Sequence, residues 1–428
     1  MKDMKRVFTL LGSFMAAVLL HGGDFSLTAK TSDSVTPVEY KCNVPIHFSV
    51  KAQPTKKVAS LRIRWVCRTD DGGRSEGIAP ASCGAEITTE LQQPGFAYIH
   101  AVLIDPNGNP VTNSKGKKVE FMGSAGAEVD KIVPFPEPVD FDKFWNAQKA
   151  KLKKIPLSPQ VKFLRNIPGG KVYAVHLASV PTKHSSTASG YLTVPDGAKP
   201  GTLKAEVRFN GYGYYRFGAA PLKCDRISFQ SNAHGFPVDC DETFFREYGE
   251  KIKFKGQIYG FHPEENSEAE TSYFLGMVQR NLQILKYICS LTEWNGQDLI
   301  VSGESQGGLQ ALQMASLEPR VTECIVGIPW CGDVGGRVGK RVLSDFAPVP
   351  APGLNYFSAA HHAKRIKCKT VITRAGLGDN ICPSSQVATI FNALPAGSEI
   401  NWCQGSTHNY IPANPHYFKV IKNEEYDR

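Results

Sequence analysis

Several large classes of protein are excluded by what this chain does not contain. No block of five or more like charges occurs, and the net charge of +9 is spread over all 428 residues, so there is no polybasic arm to hold nucleic acid. Internal repeats and low-complexity tracts are absent, which excludes solenoids, propellers and collagen-like chains. The 11 cysteines include no C-x-x-C pair, so neither a zinc ribbon nor a thioredoxin-type redox motif is offered. Long apolar stretches are scarce too: the uncharged run at 7–20 has 14 residues, short of the roughly 20 needed to span a bilayer. Charged residues at 21% and hydrophobic residues at 42% lie near the averages for soluble globular chains, so disorder is not expected.

What is present starts at the N-terminus. Lys2, Lys5 and Arg6 precede the 7–20 run, and the small residues Gly22 and Gly23 follow it. Basic residues, a short apolar core and small residues in that order read as an export signal at 1–23, cleaved within 23–29. The mature protein is then expected to be soluble and secreted or periplasmic, and Cys42, the first cysteine, lies too far on to carry a lipid anchor. An odd cysteine count leaves at least one thiol unpaired in a monomer. Cys67 with Cys83, and Cys224 with Cys240, are spaced for single bridges; the competing reading makes most cysteines small buried apolar residues.

Residues 36–133 read as all-β. Leu61, Ile63, Trp65 and Cys67 alternate with Arg62, Arg64 and Val66, a period of two that buries one face of a strand. Further strands are expected at 45–50, 85–91, 97–104 and 118–122, separated by turn clusters such as Asp70-Asp71-Gly72-Gly73. That density of short strands suggests a small immunoglobulin-like β-sandwich domain, assigned to 33–135. Pro134, Pro136 and Pro138 then fix an extended hinge, and a second domain is expected over 138–428. It opens with a helix capped by Asp140, with Phe141, Phe144, Trp145, Leu152 and Ile155 on one face and Gln148 the polar interruption. Beyond it, apolar runs at 172–180, 205–209, 299–301, 324–328, 370–372 and 399–402 alternate with helical stretches at 273–291 and 309–317. This is the pattern of an α/β fold, a mostly parallel sheet with helices on both faces.

The sharpest chemical signal is Gly303-Glu304-Ser305-Gln306-Gly307, which follows an apolar strand and runs straight into a helix. In that context G-x-S-x-G is a nucleophile elbow: Ser305 stands on a strained turn, and the glycines two positions away allow the close approach. The NH of Gln306, at the helix start, then faces the place where an acyl oxyanion develops. A serine hydroxyl needs a base, and a base needs a carboxylate to orient it. Asp379, in Gly376-Leu377-Gly378-Asp379-Asn380, and His408, in Ser406-Thr407-His408-Asn409, follow later strands in the order Ser, Asp, His. Asp333 and Asp345 are rival acids. The second oxyanion donor is expected from the loop after an early strand, where Asn210-Gly211-Tyr212-Gly213 aims the NH of Tyr212 inward. His361-His362 lacks a third ligand and reads as an exposed helix face, so no metal site is expected. Tyr212, Tyr214, Tyr215 and Phe217 could stack on sugars or pack in the core, and Asn232-Ala233-His234-Gly235 either lines the pocket or turns the chain.

Taken together, Gly303-Glu304-Ser305-Gln306-Gly307-Gly308, Gly376-Leu377-Gly378-Asp379-Asn380-Ile381-Cys382-Pro383, the Asn210-Gly211-Tyr212 loop and the lead-in Pro138-Val139-Asp140-Phe141-Asp142-Lys143-Phe144-Trp145 resemble the acetylxylan esterase and cephalosporin-C deacetylase family, carbohydrate esterase family 7. The likeness spans about 138–425. It implies an α/β-hydrolase fold, Ser305 as nucleophile, Asp379 as acid, His408 as base and the NH groups of Tyr212 and Gln306 as oxyanion hole. It also implies an acetylated carbohydrate such as xylan or xylo-oligosaccharide as substrate, no metal or other cofactor, and a fold that in relatives forms homo-oligomers. Asn409 stands where the family commonly has Glu. Two other classes stay open at this point: a serine peptidase or other carboxylesterase of the α/β-hydrolase superfamily, and a non-catalytic carbohydrate-binding protein. A propeller-bearing peptidase is disfavoured, since the residues before the hinge are too few for four blades.

Overall fold

The structure is a computed structural model that describes residues 25–31, 36–54, 58, 60–238 and 240–423; the expected export segment lies outside them. The period-two segments near the N-terminus form two antiparallel sheets. One is three-stranded, in the order β1 (Ser26–Thr31), β2 (Ile46–Gln53), β5 (Ala85–Thr89). The other is four-stranded, in the order β4 (Arg74–Pro80), β3 (Arg62–Thr69), β6 (Gly95–Ile104), β7 (Glu120–Ala127). Phe48 and Val50 of β2 and Ile87 of β5 share one apolar core with Ile63 of β3 and Ile99 of β6, so the two sheets form a sandwich. The sequence did not anticipate β1 or β4. β1 pairs along its length with β2, Ser26 opposite Gln53 and Thr31 opposite Phe48, so the sandwich starts upstream of the expected boundary at 33. β4 is an exposed edge strand with no apolar alternation to announce it.

After the hinge, α1 (Phe141–Lys153) buries Phe141, Phe144, Trp145 and Leu152 as expected. Asp140 sits at its N-cap without capping by side chain; its carboxylate takes the Tyr356 hydroxyl instead. The polar interruption Gln148 is buried and accepts from Gln279 Nε2 at 3.1 Å, which pairs one group of each amide inside the core.

The rest of the chain builds one ten-stranded sheet, in the order β17 (Tyr417–Ile421), β16 (Glu399–Cys403), β15 (Lys369–Gly376), β14 (Glu323–Gly327), β13 (Trp294–Glu304), β11 (Leu203–Phe209), β12 (Arg226–Asn232), β10 (Thr187–Pro195), β9 (Gly170–Ala178), β8 (Gln160–Ile167). From β12 to β16 every pairing is parallel, and antiparallel strands close both sides. The helices are α2 (Glu242–Lys251), α3 (Tyr273–Ile288), α4 (Gln306–Leu317), α5 (Ala359–Ala363) and α6 (Ser384–Ala393). Among the described residues no helix is long and apolar enough to cross a membrane. The parallel register aligns Phe209 with Gly303, Glu304 with Gly327 and Gly376 with Cys403, so the loops after β11, β13, β15 and β16 leave the sheet at one edge. The apolar core of this sheet extends into the sandwich: Phe96 of β6 packs on Trp402 of β16, ring centroids 5.6 Å apart.

Candidate active site

Ser305 joins β13 to α4 with φ 56° and ψ −122°, a conformation that a non-glycine residue adopts only when its surroundings impose it. Its NH donates to Gly327 O at 3.0 Å, and its carbonyl accepts from Leu309 N and Trp330 N. The two glycines of the motif are there for lack of room. A Cβ on Gly303 would lie 2.4 Å from Gly307 O, and one on Gly307 would lie 2.3 Å from Phe209 O, the end of the neighbouring strand. The half-buried Ser305 therefore stands at the strand edge, with the N-terminus of α4 behind it.

Asp379 and His408 meet there. His408 Nδ1 is 3.0 Å from Asp379 Oδ2, and Asp379 is buried at 2% exposure. The other carboxylate oxygen accepts from Ile381 N at 2.9 Å and Cys382 N at 2.8 Å, which fixes the carboxylate plane. With the carboxylate accepting from Nδ1–H, the Nε2 of His408 keeps its lone pair. Ser305 Oγ has no hydrogen-bond partner among the described residues; such contacts are often long before substrate arrives.

Tyr212 lies on the loop after β11, and neither its NH nor that of Gln306 has an acceptor among the described residues. The loop is held by a buried polar network that the sequence did not reveal. Gly213 N donates to the Tyr259 hydroxyl at 3.0 Å, which donates to Gln306 Oε1 at 3.1 Å. The Tyr212 ring stacks on Tyr259 at 4.4 Å, and its own hydroxyl donates to Tyr259 O at 2.8 Å. On the other side His234 Nε2 sits 2.8 Å from Gly213 O. A carbonyl can only accept, so Nε2 carries the proton and Nδ1 accepts from the Tyr273 hydroxyl, also at 2.8 Å. Burial pushes His234 down to about 3, so it stays neutral. The 232–235 segment thus holds the loop rather than simply turning the chain. A small pocket adjoins this loop, lined by Gly211, Gly213, Phe217, His234, Phe236 and Gln306.

Arg374, near the end of β15, is another residue the sequence reading missed, although a charge among the apolar residues of a buried strand was the available signal. Its guanidinium donates to Ser406 Oγ at 3.3 Å and Thr407 O at 3.0 Å, and approaches Glu304 to 3.8 Å. It ties the histidine loop to the residue beside Ser305.

The rival acids have other partners. Asp333 is buried in an ion pair with Arg341 at 3.0 Å, and Asp345 is exposed, accepting from Asn380 Nδ2. His361 and His362, expected on an exposed face, are fully buried: the first reaches Asn355 O and Phe135 O, the second Ser316 Oγ and Tyr356 O. Tyr212 is core, while Phe217 packs edge-on against Tyr191. All the cysteines are free thiols, so neither of the bridges that the spacing allows is present. One trio could in principle ligate a metal, since atoms of Asp379, Cys382 and His408 lie within 4.8 Å of one another. Asp379 and His408 are already bonded to each other, and burial pushes the Cys382 thiol well above its usual range, so this set is a poor ligand sphere.

The chain is similar to several known proteins. The acetyl esterase Axe7A of Xylanibacter ruminicola is 26% identical over 304 residues, a match covering 66% of this chain and 66% of that protein. The solved acetyl xylan esterase from Paenibacillus sp. R4 superposes with TM-score 0.53 at 21% identity, over 67% of this chain and 94% of that one. Acetyl xylan esterase 1 from Thermoanaerobacterium sp. JW/SL YS485 gives 0.52 at 19%, with the same coverage, so the large sheet and its helices have the fold of α/β-hydrolase esterases. The family model described as acetyl xylan esterase (AXE1) matches residues 134–338 and 351–422, well over half of the sequence, and on that match the chain belongs to the acetyl xylan esterase family.

Proposed function

We propose that this protein is an exported serine esterase that removes acetyl groups from acetylated xylan or xylo-oligosaccharides. The observation that carries the reading is the Asp379–His408 hydrogen bond at the same sheet edge as the strained Ser305 turn, in a chain of this family. Ser305 Oγ attacks the acetyl carbonyl while His408 Nε2 takes its proton. The NH groups of Tyr212 and Gln306 receive the oxyanion, and the positive end of α4 adds to their field. His408 then protonates the departing sugar hydroxyl, and water, activated by the same histidine, cleaves the acetyl-enzyme to acetate. Asp379 holds the histidine tautomer that makes both transfers work. Every step is carried by side chains and backbone, without a metal. Family membership favours an ester over a peptide bond. For export, a cut between Gly23 and Ser26 spares β1, which a cut at the far end of the expected window would divide.

Acetate release from acetylated xylo-oligosaccharides by the purified mature protein, with Ser305→Ala alongside, tests the reading. Release by the wild type and none by the variant, with unchanged circular dichroism, is the expected result. Equal release by both would remove Ser305 from the chemistry.

A further inference from the structure

We propose that the N-terminal β-sandwich serves as the scaffold for the acid–base arm of the site, with Gln404 and Tyr98 as its positioning residues. The inference rests on the reading of Asp379 and His408 given above. The family model begins at residue 134, so the sandwich lies outside the part of the chain that it matches.

Among the described residues, five of the sandwich's hydrogen bonds to the rest of the chain fall on the 376–385 and 403–409 segments, and the others reach Arg341, Val342 and Asn392. Gln404, four residues before His408, uses its side-chain amide as a strand would use its backbone: Ser124 N of β7 donates to Oε1 at 3.2 Å, and Nε2 donates to Ser124 O at 2.9 Å. Next to Asp379, a Cβ on Gly378 would lie 2.1 Å from Met122 O, so the β7 backbone rests directly on the acid's loop. Just past Cys382, whose NH binds the Asp379 carboxylate, the start of α6 is held twice. Ser384 Oγ lies 3.1 Å from Ser124 Oγ, and the Tyr98 hydroxyl of β6 donates to Ser385 Oγ and accepts from Ser385 N, both at 3.0 Å. Beneath them Phe96 packs on Trp402. No sandwich residue among those described hydrogen-bonds to the elbow at 303–307 or to the 210–213 loop. The sandwich therefore steadies the half of the site that moves protons and leaves the nucleophile and oxyanion donors to the large sheet.

This division makes a specific kinetic statement. Loosening the clamp misplaces His408 relative to Ser305 without altering where the acetyl group binds, and displacements of an ångström at a reacting group cost about 100-fold in rate. In the full chain, Gln404→Ala is expected to lower kcat on p-nitrophenyl acetate about 10-fold or more, with KM within about twofold of wild type. Tyr98→Phe, which deletes one hydroxyl and keeps the ring, is expected to give a smaller loss of the same kind. Hydrogen exchange should quicken at 376–385 and 403–409 and stay unchanged at 303–309. His408→Ala, run in parallel, separates the two readings: if it retains activity, the acid–base assignment fails. If it is inactive while Tyr98→Phe and Gln404→Ala, or Tyr98→Phe alone should Gln404→Ala not fold, keep wild-type kcat and exchange, the assignment stands and the scaffold role is overturned.

Discussion

Replacing Tyr259 by Phe removes one oxygen and tests whether the oxyanion loop is positioned or merely packed. In the structure that oxygen accepts from Gly213 N at 3.0 Å and donates to Gln306 Oε1 at 3.1 Å, in fully buried surroundings. Without it both groups lose their partner, at about 1–3 kcal/mol for each buried polar atom left unpaired. The ring stack on Tyr212 survives, as does the bond from Tyr212 to Tyr259 O, so a total near 2–6 kcal/mol is expected, and a melting temperature lower by roughly 2–7 °C. Catalysis should suffer separately. Loss of a complete oxyanion donor costs about 100- to 1,000-fold in kcat, but His234 still holds Gly213 O, so the Tyr212 NH is misaimed rather than lost and a drop of about 10-fold follows. The assay is kcat and KM on p-nitrophenyl acetate beside a thermal melt. A melt that falls as stated with kcat within twofold of wild type would refute the reasoning, because the hydroxyl would then support packing alone.

Two more outcomes follow from the same geometry and charges. Gly307→Ala places a methyl 2.3 Å from the Phe209 carbonyl, a backbone atom with little freedom to yield, so activity should fall more than 100-fold as the elbow shifts; near-normal esterase rates would contradict the crowding. Asp70, buried between Phe96 N and Val342 N, is pushed up to about 6 by burial, above the usual 3.8. Because the folded state then holds the proton more tightly than the unfolded one, stability falls as pH rises from 4 to 6 and is restored on acidification, by an amount on the order of 3 kcal/mol. Denaturant melts at pH 4.5 and 7 should show that difference shrinking in Asp70→Asn, and equal pH dependence in both proteins would remove Asp70 as its source.

Much of the site was legible because its chemistry is local in sequence. Ser305 is flanked by the glycines that its turn requires and by an apolar strand, and Asp379 and His408 each follow a strand of the same sheet, in order. What holds these residues is not local. Tyr259 reaches Gln306 across 47 positions, and Gln404 meets Ser124 across 280, so neither leaves a spacing to read. The buried state of His361 depends on the carbonyls of Asn355 and Phe135, a carbonyl environment that composition cannot announce. Strands were found where one face alternates or the run is purely apolar, as at Ile63 and Cys67, and missed where almost no face is buried, as in β4 and β8, or where buried polar residues interrupt the run, as in β10 and β12. β1 was overlooked for another reason: it begins immediately after the segment read as an export signal.

The aromatic contact between Phe96 and Trp402 has a consequence for folding and inheritance. A core shared across the Pro-rich hinge couples the melting of the two parts, because exposing either one uncovers apolar surface of the other. The sandwich is then not a detachable module that could be exchanged among enzymes like a cartridge. Phe96, Tyr98 and Ser124 touch Trp402, Ser385 and Gln404, so a substitution at any of them disturbs both parts of the chain.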